Sequence, residues 1–258
     1  MRNVLVKALG SLAPLIHSDT GTMDRWLWVK KRLAVTRNGE RLLDVGCGTG
    51  AFTICAAERG YDCLGLTWDG RDQEIAQARA DICGTPGARF RVVDVRRLGA
   101  EADLAGAFDV VLCCENIEHI LDDRRLMHDM FRALKPGGRL LLTSPWHHYD
   151  PISPDDAGPF LKVETGWHVR RGYTRCMLEE LCRDAGFMVE EIDYNVGWLS
   201  QLTIRLFQRL KFFLPLAWLA IRPLRLIVPL VDRRLTILTG RKFFSICLEA
   251  YRPRLPQP

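Results

Sequence analysis

Leu42-Leu43-Asp44-Val45-Gly46-Cys47-Gly48-Thr49-Gly50 is the stretch on which the fold of this chain turns. Residues 41–45 form a short apolar run of strand type. Three glycines at alternate positions follow at once, and 51–59 has a helical pattern. Glycines here permit positive φ and let a ligand lie against bare backbone. A helix that starts directly afterwards offers free N–H groups. Taken alone, the loop has more than one reading. Gly46, Gly48 and Ala51 also satisfy the dinucleotide pattern G-x-G-x-x-A, and a glycine turn without any ligand would look the same. Asp44 separates these readings: a carboxylate two residues before the first glycine suits a ligand with an ammonium group better than a pyrophosphate.

On both sides of this loop, strand and helix patterns alternate. Apolar spacing predicts a helix over 23–36, closed by Asn38-Gly39. Strands are expected at 63–68, 90–95, 108–114 and 139–143, with helices at 73–83 and 124–134, the latter stopped by Lys135-Pro136-Gly137-Gly138. Residues 144–172 have no clear period and read as a loop over the strand ends. A helix over 173–185 and strands at 187–194 and 244–251 complete the pattern. Strands separated by single helices imply a parallel, doubly wound α/β sheet, which binds ligands at the carboxyl ends of its strands. Asp94 ends the third strand, Phe90-Arg91-Val92-Val93-Asp94-Val95, where it can accept a hydrogen bond from an exocyclic amine such as that of adenine.

The bulk numbers agree with this architecture. A chain of 258 residues, 48% of them hydrophobic, can bury a substantial core, which excludes a largely disordered protein. Nine cysteines show no Cys-x-x-Cys spacing and no Cys/His cluster of zinc type. They read as reduced cysteines of a cytoplasmic protein, and no metal is expected. Residues 1–16 are mildly basic and apolar but interrupted by Pro14. They suit a short amphipathic helix better than a signal peptide. The net charge of +5 is uneven: residues 201–258 carry eleven Lys/Arg against two acids, which leaves 1–200 negative.

Four segments in order, LLDVGCGTG, FRVVDV, FDVVLCCENIEHI and LKPGGRLLLTSP, resemble the class I S-adenosylmethionine-dependent methyltransferases. Within that class they are most similar to the subgroup with the ubiquinone/menaquinone and cyclopropane-type enzymes. The likeness covers about 40–195 and the last strand. It implies a Rossmann-like, seven-stranded sheet whose last strand is antiparallel. It also implies S-adenosylmethionine as cofactor. Asp44 and the loop Gly46, Cys47, Gly48, Thr49 and Gly50 would hold its methionine part, Asp94 and Val95 its adenine, and Cys114 and Glu115 would line the floor near the sulfonium. One position departs from the family: Thr67 stands where an acidic residue usually holds the ribose. Ribose contacts are therefore expected from Thr67 or Trp68, with Asp69 or Gln73 helping.

For the acceptor side, histidine suits the removal of a proton. His119, His147 and His168 are the catalytic candidates, and His148, Arg170 and Tyr173 the candidates for holding substrate; His128 is expected at the surface. Two of these carry a structural alternative: His119 belongs to a Glu-His pair common in the family, and His168 can anchor a loop.

Between strands six and seven lies an apolar, basic insertion. It contains ten consecutive apolar residues from Phe212 to Ile221 and prolines at 215, 223 and 229. No run approaches the roughly 20 apolar residues that span a bilayer, and the prolines are expected to break any long helix. A helical segment lying on the inner face of the cell membrane is one reading; a cap over the acceptor pocket or a dimer interface is the other. Nucleic acid is not expected as a partner, because the basic residues are spaced among Leu, Ile and Phe. The resulting division is 1–38 N-terminal helical, 39–196 methyltransferase core, 197–243 insertion and 244–258 last strand and tail. The expected function is methyl transfer, preferably O-methylation, to a small or lipid-linked acceptor. The alternatives are a catalytically silent assembly protein that keeps this fold and, third, a NAD-dependent oxidoreductase.

Overall fold

A computed structural model describes residues 2–17, 20–210 and 217–254. Part of the apolar run that begins at Phe212 therefore lies outside the described residues. The chain runs α1 (Arg2–Leu9), α2 (Leu12–His17), α3 (Thr20–Arg32), β1 (Arg41–Val45), α4 (Ala51–Ala57), β2 (Asp62–Thr67), α5 (Gly70–Cys83), β3 (Ala88–Val92) and β4 (Phe108–Cys114). It continues with α6 (Asp123–Ala133), β5 (Leu134–Pro145), α7 (Arg175–Ala185), β6 (Met188–Asn195), α8 (Trp198–Leu210), α9 (Ala217–Leu238) and β7 (Ser245–Tyr251).

The seven strands lie in one sheet in the order β3-β2-β1-β4-β5-β7-β6. The first five pair in parallel, and β7 runs antiparallel to both its neighbours. The strand sequences are apolar on both sides because both faces are covered. Leu43, Val45, Val111, Leu140, Leu142 and Leu248 pack under α6 and α7. Leu42, Val110, Leu112, Leu141 and Cys247 pack under Trp26, Trp28 and Val29 of α3, under Leu33 just after it, and under α4. Arg32 of α3 bonds Glu249 of β7 at 2.9 Å and also pairs with Glu191 of β6, which fixes α3 across that edge of the sheet.

Two expectations change. The fifth strand begins at Leu134, because Lys135-Pro136-Gly137-Gly138 is absorbed as an irregularity in its pairing with β4, between Phe108 and Val110. More consequentially, α9 continues through Pro223 and Pro229. Each proline removes one ladder hydrogen bond, but the helix is held from its inner side. Asp232 and Thr236 are fully buried there and bonded to the start of α8. The insertion between β6 and β7 is thus a pair of packed helices, α8 and α9, that also rests on α3. No described helix is long and apolar enough to cross a membrane.

Candidate active site

The site forms where the switch in strand order opens a crevice at the carboxyl ends of the strands. After β1 the loop folds back, and the N–H groups of Gly46 and Cys47 both donate to the Leu66 carbonyl at 3.0 and 2.8 Å. Gly46 has φ +87°, and a Cβ there would collide with Asn116, which follows β4. Glycine is required at that close approach. Gly48 has φ +49° and open space where a Cβ would stand. From α5, Arg79 donates to the carbonyl and hydroxyl oxygens of Thr49 and so braces the loop.

Asp44 is buried at the end of β1. Its carboxylate accepts the Thr53 hydroxyl at 2.6 Å and is also bonded by the Thr53 backbone. Burial nevertheless outweighs these bonds and pushes the carboxyl up from 3.8 to about 6. Asn116 Nδ2 is buried with no hydrogen-bond partner among the described residues. A bare glycine surface, a desolvated carboxylate and an unmet amide donor fit a ligand with a charged amino-acid end, as S-adenosylmethionine has.

The cleft encloses about 340 Å³, within the range of roughly 300–1,000 Å³ usual for small-molecule sites. Of the expected cofactor positions, Gly46, Gly48, Thr67, Trp68, Asp94, Val95 and Glu115 form its walls. Asp44, Cys47, Thr49, Gly50 and Cys114 do not: Asp44 and Thr49 carry the bonds just described, and burial raises the thiols of Cys47 and Cys114 well above the usual range. Asp94 stands just after β3 and holds Arg96, whose guanidinium spans both carboxylate oxygens at 2.6–2.9 Å. Arg96 lowers the Asp94 carboxyl and reaches on to Glu164 at 2.8 Å.

At the ribose position, Thr67 is buried and Trp68 is 70% exposed at the mouth of the cleft. The Asp69 side chain is engaged in capping α5 through the Arg71 N–H. Asp72, one turn on, lines the cleft instead. Sequence reasoning missed Asp72, Asn116, Arg96 and Glu164. The first two lie close to motif positions, so helical and loop spacing could have suggested them; nothing local marks Glu164.

The histidines separate clearly. His119 lines the cleft. Its ring lies 4.7 Å from that of His168, and His168 Nε2 lies 3.9 Å from the buried Glu118 carboxylate. Burial lowers His119 and, together with neighbouring His119, brings His168 down to about 4, so both rings are neutral at neutral pH. Burial, reinforced by Glu115, raises the Glu118 carboxyl well above its ordinary value. One ligand-type atom from each of Glu118, His119 and His168 falls within 4.8 Å of the others. No local spacing announced this cluster, because His168 is distant in the chain. His147 is half-buried with its N–H on the Tyr173 carbonyl, and the exposed His148 ring packs against Trp146 and His147. His128 is exposed on α6.

Arg170 and Tyr173 have structural partners rather than free faces. Arg170 pairs with Asp123 and bonds the carbonyls of Ile120 and Leu121. The fully buried Tyr173 hydroxyl donates to Asp123 at 2.8 Å. Both groups fasten the end of the 144–172 loop to α6, so the acceptor-binding role expected of them is not carried forward. Glu115, a floor residue, has φ +50°, an unusual conformation for a non-glycine residue. Its carboxylate meets Arg25 of α3 at 3.3 Å and accepts the Ser245 hydroxyl at 3.2 Å.

Comparison with known proteins gives consistent results. A family model described as a methyltransferase domain matches residues 23–192. A ubiquinone biosynthesis O-methyltransferase of Paracidovorax citrulli is 36% identical over 100 residues, which are 39% of this chain and 41% of that relative. The chain therefore matches less than half the length of this relative. Among solved structures, phosphoethanolamine N-methyltransferase 2 of Haemonchus contortus, bound to S-adenosyl-L-methionine, superposes with a TM-score of 0.62 at 20% identity. That alignment covers 90% of this chain and 53% of the other. The [4+2]-cyclase SpnF superposes with a TM-score of 0.62 at 21% identity, over 91% of this chain and 82% of its own. At such identities the likeness is one of fold.

Proposed function

Because the chain belongs to the methyltransferase-domain family, we propose that it is an S-adenosylmethionine-dependent methyltransferase that methylates a hydroxyl group of a small acceptor. The observation that carries this reading is convergence. The loops after β1, β2, β3 and β4 meet at one cleft, backed by a desolvated Asp44 and walled by a neutral His119.

When bound, S-adenosylmethionine supplies a sulfonium methyl open to in-line displacement. The remaining tasks fall to this chain. Asp44, Gly46 and Gly48 are assigned to the amino-acid end, and Asn116 offers its free amide N–H there. Asp72 and Trp68 are assigned to the ribose, and Asp94 and Val95 to the adenine. His119 is assigned as the base that takes up the acceptor's hydroxyl proton, and the His168 ring, packed edge-on against it, holds its orientation. The loop 144–172 shields these groups from water, tied down by Glu164 and Arg170.

O-methylation is preferred over N- or C-methylation because the relatives bear the name of an O-methyltransferase of ubiquinone biosynthesis. That name also supports a quinone-like phenolic acceptor. The working division of the chain is a core of 39–196 with 244–258, dressed by helices from 1–38 and 197–243. Incubation with methyl-labelled S-adenosylmethionine and fractionated extract, lipids included, tests the reading. Label is expected in one small-molecule or lipid fraction, released by reagents that cleave methyl ethers. Tight cofactor binding with no label in any fraction would remove the catalytic assignment.

A further inference from the structure

Helix α9 is amphipathic in the opposite sense to a helix on a soluble core. The side it turns to the protein carries Arg225, Asp232 and Thr236, all buried, the last two fully. The side it turns outward carries Leu224, Ile227, Leu230, Val231 and Leu238, at helical spacing, with Leu230 69% and Leu238 81% exposed. From α8, Leu202 and Leu206 add exposed apolar surface. Removing such side chains from water is favourable, so this face is built to be covered.

Charge decides by what. Residues 201–243 hold nine Lys/Arg and a single acid, Asp232, which is buried. Arg209, Arg234 and Arg241 are exposed, and Arg234 stands in the middle of the apolar face, one turn from Leu230 and Leu238. Lys242 is paired with Asp150 at 2.9 Å. A second copy of the chain, docked about a two-fold axis, would bring this basic face against an identical one. An anionic lipid surface instead takes the apolar side chains into its acyl boundary and the guanidinium groups at its headgroups. Arginine stems reach out of an apolar layer to do so.

We propose that the α8–α9 pair is a docking surface for anionic phospholipid membranes, with α9 lying flat in the interface. This inference is independent of the reading of the cleft. The test is co-sedimentation of the full-length protein with vesicles of phosphatidylcholine alone and of phosphatidylcholine mixed with phosphatidylglycerol. Binding is expected to the mixed vesicles and to weaken with added salt. The double variants I227Q/L230Q and R209E/R234E should each weaken it roughly tenfold or more while circular dichroism and cofactor binding stay unchanged. Full-length protein left in the supernatant with the mixed vesicles would overturn the proposal, as would equal binding to both vesicle types. A dimer in sedimentation that I227Q/L230Q turns into monomer, without vesicle binding, would overturn it in favour of a second copy.

Discussion

The Asp232 carboxylate, in the middle of α9, accepts the backbone N–H of Ser200 at 2.9 Å and so caps a helix 32 residues earlier in the chain. Leu199 donates to the same carboxylate at 2.8 Å, and Thr236 takes the Trp198 N–H. These are the N–H groups that the first turn of α8 cannot satisfy by itself. Asp232→Ala should therefore cost about 1–3 kcal/mol. Thermal unfolding would read that loss, and hydrogen exchange should show it concentrated at the amides of 198–203. Thr236→Val should cost less, since it leaves Asp232 in place and removes only the acceptor of the Trp198 N–H and one hydroxyl bond to Asp232.

With Asp44 assigned to the amino-acid end of the cofactor, the proposed function predicts a pH dependence of cofactor binding with a definite sign. Its carboxyl is raised to about 6 in the folded chain against 3.8 when unfolded. As pH rises through that window the unfolded chain loses its proton first, so ionisation destabilises the ligand-free fold, by roughly 3 kcal/mol near neutrality. A ligand with an ammonium group offsets that cost only when Asp44 is ionised. Calorimetry with S-adenosylhomocysteine should show affinity weakening as pH falls below 6, approaching tenfold per pH unit. Asp44→Asn should bind weakly and lose most of this dependence.

His119 predicts a separate effect, on turnover. His119→Ala should lower kcat by about 10²–10⁴ while S-adenosylhomocysteine affinity holds. Burial keeps the ring's proton affinity below the ordinary 6.5, so the acid limb of kcat should fall below pH 6.5. His168→Ala removes a ring that helps to bury His119, and that limb should move upward. Unchanged pH profiles in both variants would remove the base assignment.

How far the sequence alone could lead depends on where each chemical group gets its partners. Asp44 through Gly50 was legible because strand, carboxylate and glycines are contiguous and answer to one local geometry. So were the order and type of the strands, since two-sided burial makes each a short apolar run. Arg170 and Tyr173 looked available for an acceptor because Asp123, which engages both, lies nearly 50 residues away. Asp69 looked like a ribose ligand, but a carboxylate just before a helix is drawn to cap it, and Asp72 on the next turn faces the cleft. The prolines of α9 argued locally for a break, whereas polar anchors on its buried side hold the helix together.

The Glu164 carboxylate offers a test of the loop over the cleft. It accepts the Leu121 N–H at 2.6 Å with one oxygen and takes Arg96 with the other. Glu164→Ala should loosen 160–170, seen as faster hydrogen exchange, and raise the KM for cofactor about fivefold, as expected of a partly exposed ion pair worth about 1 kcal/mol. Circular dichroism should not change, because the loop lies outside the sheet and its covering helices.

Trp68 stands mostly exposed on the wall of the cleft, and Trp167, also exposed, follows Gly166 of the same wall. Trp26 and Trp28, by contrast, are buried on the side of α3 that packs on the sheet. The chain therefore carries its own optical reporter. Anything that fills the cleft covers an indole now facing water, so occupancy can be followed by tryptophan emission in unlabelled protein, with a Trp68→Phe variant as the silent reference. Acceptor candidates can then be screened for binding before any turnover assay exists.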